Sequence, residues 1–453
     1  MKKIIRTILF ILVAILFLVL VPIIIGYSQG YRFDFEKKAI VQTGGIYLKV
    51  YPAQAKVYID DKFKGQTRMI NDDILIQNLL PKKHKIKVEK DGYFAWEKEL
   101  EVEKKMVTDA KNIILFPNNL KFNQIDSDVK NFYELSDGSF LILKKDSIYL
   151  LNTQEEIKKL TVISPLLESL EIINVFSFPE NSNLILKFTD NKTKIYYYLF
   201  NFKKIETSPQ LLNFLDENSK NFFFDYKNND IFYYQDKNKL KKINLTAIKE
   251  LPETIVENIL TYTLFKNYIY YLTEDGIIES LDLESQKTSP ILDKKIEINK
   301  EADYQISKIN DDIFIKNNDC LYLLKENELE KFSNSVKTAI LSPDEKKLLI
   351  ITNNEFWLFI QREIQVPFLA TPQQKLFLSR FSQEVKNPLW IQDDYFLFTL
   401  GDKIKISEID TRSKLNIIDL AEFKEPRVLF DKNHKAILVL SEEKLYLSEK
   451  FLP

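Results

Sequence analysis

The feature that most constrains the fold is a recurring pair of short apolar strands separated by a polar turn, found from Leu120 onward. The pairs are Ser139–Leu143 with Ser147–Leu151, Asn183–Phe188 with Lys194–Phe200, Asp230–Tyr234 with Lys239–Leu245, and Tyr268–Leu272 with Ile277–Leu283. Four more complete the series: Asp312–Ile315 with Cys320–Leu324, Lys347–Ile351 with Glu355–Ile360, Tyr395–Leu400 with Lys403–Ile409, and Lys435–Leu440 with Lys444–Leu447. Their starts lie 35 to 48 positions apart, and a mean of roughly 42 built from strands and turns predicts a β-propeller. An unmatched strand-like stretch, Leu120–Ile125, precedes the first pair, whereas the residues after Lys444–Leu447 leave no room for an outermost strand. The early stretch is therefore expected to close the ring by joining the last blade, which leaves only short, protected edges. Eight pairs predict eight blades. Seven stays open because the spacing is uneven, and two stacked β-sandwiches are the competing arrangement.

One turn within the repeat is well preserved. The run Leu341-Ser342-Pro343-Asp344-Glu345-Lys346-Lys347 is similar to the Ser-Pro-Asp-Gly-Lys turn of TolB-like and WD40-like propellers, with Glu345 in the glycine place. Leu135-Ser136-Asp137-Gly138 and Ser177-Phe178-Pro179-Glu180-Asn181 read as worn copies. Trp-Asp dipeptides with Gly-His partners are absent, so the resemblance implies a generic propeller and no family within it.

The N-terminus sets the compartment. Lys2, Lys3 and Arg6 lead into Ile8–Ile25, a run without charge. About 18 such residues span a bilayer core of roughly 30 Å as one helix, and basic residues mark the cytoplasmic flank. The expected order is a cytoplasmic tail over 1–6, a transmembrane helix over 7–26, and everything later outside. A cleavable signal peptide competes, but its apolar core runs about 7 to 15 residues before a small-x-small site, and Ile25-Gly26-Tyr27-Ser28-Gln29-Gly30 offers no such site. A lipoprotein would need a Cys after the run, and the single Cys is Cys320. That one Cys also rules out an intrachain disulfide framework, and its strand-like setting predicts a small buried apolar residue.

Charge is balanced, with 64 Lys+Arg against 65 Asp+Glu, so no overall field favours nucleic acid. Only 9 glycines are present, which leaves turns to Asn, Asp and Lys; Asx residues tolerate left-handed backbone and cap their own turns. The acid pairs Asp60-Asp61, Asp72-Asp73, Asp311-Asp312 and Asp393-Asp394 each flank an apolar strand and are read as turns rather than catalytic dyads.

Between a linker over 27–45 and the repeat, short strands are predicted at Ile46–Val50, Lys56–Ile59, Ile74–Gln77, Lys85–Glu89 and Phe94–Val102, forming a small antiparallel sandwich over 46–116. The stretch Val50-Tyr51-Pro52-Ala53-Gln54-Ala55-Lys56-Val57-Tyr58-Ile59-Asp60, with Gly65-Gln66-Thr67, Leu79-Leu80-Pro81 and His84 through Gly92-Tyr93, resembles the PEGA domain. Ala53-Gln54 replaces the name-giving Glu-Gly, Asp61 stands where a Gly is usual, and Arg68 replaces Pro. The resemblance implies a β-sandwich of bacterial surface proteins whose characteristic positions, here Pro52, Asp60, Gly65, Thr67, Pro81, Gly92 and Tyr93, are turn-formers without a catalytic role. Residues 117–453 would be the propeller, making the chain mainly β behind one helix.

Motifs of chemistry are scarce. The two histidines, His84 and His434, fall in turns that read as exposed, and no His or Cys spacing suits zinc. No Gly-x-Ser-x-Gly elbow, phosphate loop or Asp-rich calcium loop occurs. Tyr196-Tyr197-Tyr198, Phe222-Phe223-Phe224, Tyr233-Tyr234 and Tyr270-Tyr271 are read as packing, with sugar stacking as the alternative. The expectation is a membrane-anchored, extracytoplasmic, non-catalytic protein without cofactor or metal, binding an envelope protein or glycan and no nucleic acid. A sensor acting through a membrane partner is a further possibility. The rival is a propeller hydrolase or lyase with two carboxylates about 5 to 10 Å apart near the channel mouth.

Overall fold

A computed structural model describes residues 2–144, 147–151, 157–162, 170–178, 181–190, 193–204, 209–247 and 250–453. Pro179 and Glu180 of the second worn turn lie outside them. Helix α1, Lys2–Ser28, carries the apolar run together with Lys2, Lys3 and Arg6, and none of its apolar window is buried by the rest of the chain. The segment read as a linker holds the end of α1 and a two-stranded hairpin, β1 (Tyr31–Asp34) and β2 (Ala39–Gln42).

The small domain is a two-sheet sandwich. One sheet orders β6 (Asp73–Leu79), β3 (Gly44–Tyr51) and β9 (Val107–Ile114); the other orders β5 (Lys62–Gln66), β4 (Lys56–Ile59), β7 (Lys83–Glu89) and β8 (Trp96–Glu101). Alternation drives it: Ile46, Leu48, Val50, Val57, Ile86, Val88 and Leu100 point inward to one core. The antiparallel expectation fails at one place, because β3 and β9 pair in parallel. A parallel pair needs a long crossover, supplied by the whole of the second sheet, and β9 itself shows no clean alternation to betray it in sequence.

After β10 (Phe122–Asp126), the described residues form eight four-stranded antiparallel sheets, spanning 129–162, 170–211, 219–256, 259–290, 304–333, 336–380, 385–422 and 427–448. The last owns three strands, and β10 supplies the fourth by pairing with Lys444–Ser448. Each apolar pair read from sequence is the two central strands of one sheet. The innermost and outermost strands lack a comparable signature because their patterns are broken: six innermost strands carry a bulge, at Lys130, Ile173, Asn221–Phe222, Leu260, Lys337 and Asn387–Pro388. A bulge inserts an unpaired residue and twists the strand.

The core is divided among the junctions between neighbouring blades. Strand Lys347–Thr352 shows the rule: Leu348 and Ile350 pack with Phe314 and Leu323 of the preceding blade, whereas Leu349 and Ile351 pack with Phe396 and Phe398 of the following one. Strand Ala436–Ser441 repeats it, and Ala436, Leu438 and Leu440 meet Phe132 and Phe140 of the first blade, closing the ring. Glycine's turn role passes to other residues, since Asp60, Asp61, Asn221, Asn310 and Glu345 all have positive φ. Cys320 corrects its expectation: it starts a strand, is only half-buried, and has Sγ 3.6 Å from Asn334 Oδ1.

Phe356 is fully buried between the sixth and seventh blades, with its ring centroid 4.8 Å from Phe396 and 4.9 Å from Phe398. Phe356→Ala should cost roughly 3–5 kcal/mol, measured as a lowered unfolding midpoint of the purified chain.

Candidate functional site

The strongest concentration of buried polar chemistry lies where the sandwich meets the propeller. Strand β8 reads Trp-Glu-Lys-Glu-Leu-Glu, with Trp96, Lys98 and Leu100 turned inward. A lysine in an inward register needs a partner, because burying an unpaired charge is costly. The seventh blade provides it in Ile404, Ile406 and Glu408, another alternating inward set that ends on a charge. Lys98 and Glu408 form a salt bridge, with side chains 0% and 4% exposed. Lys98 Nζ also donates to the carbonyls of Asp410 (2.7 Å) and Lys414 (3.2 Å). Glu408 accepts from Trp96 Nε1 at 2.8 Å and from the Asn416 amide nitrogens at 2.8 and 2.9 Å. Burial, the largest influence, pushes the Glu408 carboxyl up, and Lys98 pulls against it.

The same loop lines the free edge of β8. Asn416 bonds the Glu97 backbone in both directions, at 3.0 and 3.1 Å, and Ser413 Oγ accepts from the Glu99 amide at 3.1 Å. Arg412, paired with Asp410 at 2.7 Å, donates to the Asp109 carbonyl at 2.6 Å. Beside these polar ties, Phe94, Ile114 and Phe116 pack with Tyr395, Ile406, Ile418 and Phe451. The sandwich is therefore held on the propeller by a two-part seam, one part polar and one apolar.

Next to the seam lies a cavity of about 330 Å³, lined by Tyr51, Asp72, Asn112, Gln392, Asp393 and Asp394 among others. Asp393-Asp394 is a hairpin turn, as its sequence suggests, but Asp394 is buried there. Its carboxylate accepts from Asn112 Nδ2 at 2.9 Å and lies 3.4 Å from Lys347 Nζ; burial raises its pKa. Lys347 is itself buried and pairs with Asp344 of the Ser-Pro-Asp turn at 2.6 Å. Among the described residues, no group of three or more His, Cys, Asp or Glu is arranged to hold a metal ion.

The PEGA-like positions have structural partners. Thr67 Oγ1 accepts the Ala55 amide at 3.0 Å; Gly65 and Gly92 have φ of 147° and 83°. Pro52 and Pro81 sit in connections between strands, and Tyr93 bridges to Pro117. Asp60 turns the β4–β5 hairpin and accepts from His84 Nδ1 at 2.7 Å and the Lys85 amide at 3.1 Å. His84 thus corrects its exposed reading: it is 4% exposed, and its other ring nitrogen meets the Leu80 carbonyl. His434, in its turn, is held by Asp431 at 2.7 Å. The seam has no motif in the sequence, although Lys98 and Glu408 each break an inward apolar register, and that break is the signal available.

Strand direction separates this face from the other. Strands alternate, so first-to-second and third-to-fourth connections of every blade emerge together, and the sandwich meets the seventh blade through those two connections, at Asp394 and at Glu408–Asn416. At the opposite face the innermost strands begin with exposed Lys130, Lys220, Lys337, Lys386 and Arg427. Acids are interleaved there: Glu443 pairs with Lys130, Glu384 with Lys337, and Asp303 with Lys220 at 3.6 Å.

Lys98→Ala strands Glu408 in the seam and should cost about 3–5 kcal/mol, whereas Lys98→Met with Glu408→Gln should recover most of it in denaturant unfolding of the full chain. At Asp60 burial pulls the carboxyl upward, but the His84 and Lys85 bonds outweigh it and hold the acid below its ordinary 3.8. A lowered carboxyl stabilises above its ordinary value, and that stability is lost as pH falls through the lowered one. Asp60→Asn should accordingly flatten the loss of stability seen below pH 3.8, read from melting curves across acid pH.

No curated protein matches the chain. Among solved structures, Kluyvelomyces marxianus Hsv2 is similar at 12% identity and TM-score 0.41, covering 72% of this chain and 100% of that one. A eukaryotic initiation factor is similar at 12% and 0.46, covering 71% and 83%. The β-propeller domain of Myceliophteria thermophila Cps50 (Swd1) is similar at 9% and 0.36, covering 62% and 99%. The propeller itself is defined by the sheet order and closure given above. Residues 43–113 match the PEGA domain model, and the sandwich that the seam fixes to the ring is a PEGA domain.

Proposed function

We propose that this protein is a single-pass membrane protein that carries its propeller outside the membrane as a binding platform for an envelope protein or glycan. The observation that carries this reading is the span Ile4–Ser28 of helix α1, 25 residues long and apolar enough to cross a bilayer, with its apolar stretch unburied by the rest of the chain. Lys2, Lys3 and Arg6 at its start favour an inside N-terminus. The PEGA domain supports an outside placement for itself and for the propeller. In this reading the domain is a bracket, held to the ring by Lys98–Glu408 and the Phe116 cluster. The membrane then lies on the bracket's side, and the face bearing Lys130, Lys337 and Lys386 is free of the bracket. Its interleaved charges suit a polar macromolecular surface better than a polyanion. The buried seam carboxylates Glu408, Asp410 and Asp394 are engaged by Lys98, Arg412 and Asn112, which supports structural rather than hydrolytic duty.

The test places one cysteine on that face, with Cys320→Ser and Lys386→Cys, since Lys386 has a side chain 69% exposed. A membrane-impermeant maleimide–benzophenone is then applied to intact cells. Labelling without lysis, followed by a discrete light-dependent adduct, is expected. Labelling only after lysis overturns the topology, and labelling without any adduct overturns the binding face.

A further inference from the structure

The hairpin after α1 is built inside out for a water-soluble element. Alternation along β1 sends Arg32 and Asp34 to one side and Tyr31 and Phe33 to the other, and Ile40 of β2 stands directly opposite Phe33. The polar side faces the protein. Asp34 is 2% exposed and accepts the amides of Glu36 and Lys37 at 2.9 and 3.2 Å, and Val41, opposite Arg32, is 9% exposed. The apolar side faces away from it: Phe33 is 48% exposed, Ile40 71% and Phe35 83%, with the two phenyl rings 5.0 Å apart edge to face. In water that arrangement exposes what the hydrophobic effect would bury and buries what would be solvated.

The hairpin is also tied to its surroundings. Arg32 Nη1 donates to the Tyr27 carbonyl at 2.7 Å, its guanidinium lies 3.3 Å from the Tyr27 ring centroid, and Nη2 donates to Asn78 Oδ1 at 2.8 Å. Thr43 Oγ1 donates to the Gly30 carbonyl at 2.7 Å, and Lys82 pairs with Glu36 at 2.7 Å. These bonds hold the apolar face in fixed relation to both the end of the helix and the PEGA domain. Lys37 and Lys38 are exposed at the tip.

We infer that Tyr31, Phe33, Phe35 and Ile40 seat in the headgroup–acyl boundary of the bilayer that α1 crosses. The occupant is lipid because the face is continuous with the membrane-crossing segment, separated from Ser28 only by Gln29 and Gly30. A tyrosine ring favours that depth, phenylalanine and aliphatic side chains of interfacial elements bury in it, and the tip lysines sit where phosphates would meet them. The hairpin then acts as a collar: it sets the tilt of the PEGA bracket and, through the seam, of the propeller. This rests on the membrane reading above, so the test must separate the two.

The full chain with Cys320→Ser is reconstituted in phosphatidylcholine–phosphatidylglycerol vesicles, carrying one nitroxide at Phe35→Cys, Ile15→Cys or Tyr226→Cys. Collision with oxygen reports lipid, and collision with a water-soluble nickel chelate reports water. Position 15 tests the span, and position 226, on an exposed propeller loop, is the aqueous reference. The expected result is an oxygen-to-nickel ratio several-fold higher at 35 than at 226, approaching that at 15. A lipid-like 15 with a water-like 35 overturns the collar alone, as does a 35 shielded from both agents, which would mean a protein cover such as a second copy. A water-like 15 overturns the membrane reading and the collar with it.

Discussion

Two-sided burial of the central strands is the constraint on which this structure depends. A strand such as Lys347–Thr352 sends alternate side chains to different neighbours, so each blade is stable only between two others. The requirement propagates around the ring and is met by closure, when β10 pairs with the last strand, Lys444–Ser448, and Phe132 and Phe140 meet Leu438 and Leu440. It also explains the composition of those strands: where both faces are covered, the sequence reads as a nearly continuous apolar run rather than an alternation.

Closure alone would leave the PEGA domain hanging on a tether. The seam prevents that by combining apolar packing around Phe116 with a buried pair, Lys98–Glu408, whose remaining hydrogen-bonding groups are met by Trp96, Asn416 and two carbonyls. A buried pair of this kind contributes little net stability over an apolar substitute, but breaking it by half is costly. Its contribution is to orientation: the docking seen here brings both charges to their partners. Orientation matters here because the bracket lies between the apolar helix and the ring, so a fixed angle at the seam fixes which propeller face points away from α1.

Much of this is legible in the residues. The central strand pairs, the closing strand and, in the PEGA domain, Lys56–Ile59 and the Lys85–Glu89 part of β7 arise from apolar periodicity and turn chemistry. The innermost and outermost strands do not, because bulges and charged starts such as Val129-Lys130 break their period. The parallel pairing of β3 with β9 is equally hidden, since pairing partners are chosen across the sandwich and leave no local trace. His84 and Cys320 depart from their sequence expectations in opposite directions for one reason: a residue's burial depends on what the fold brings to it. His84 is buried with both ring nitrogens bonded, to Asp60 and the Leu80 carbonyl, whereas Cys320 at the start of its strand stays half-buried.

By itself the sequence determined the apolar helix, the repeat and its closure, and the PEGA strand pattern, because each is written in the spacing of neighbouring residues. Only the tertiary structure decided that Lys98 meets Glu408 across 310 residues, that Asp394 is a buried seam acid rather than an exposed turn residue, and that the hairpin after the helix wears its apolar side outward. These depend on which surfaces come together in space, and the local pattern around Lys98, Asp394 or Phe33 does not name the surface that meets it.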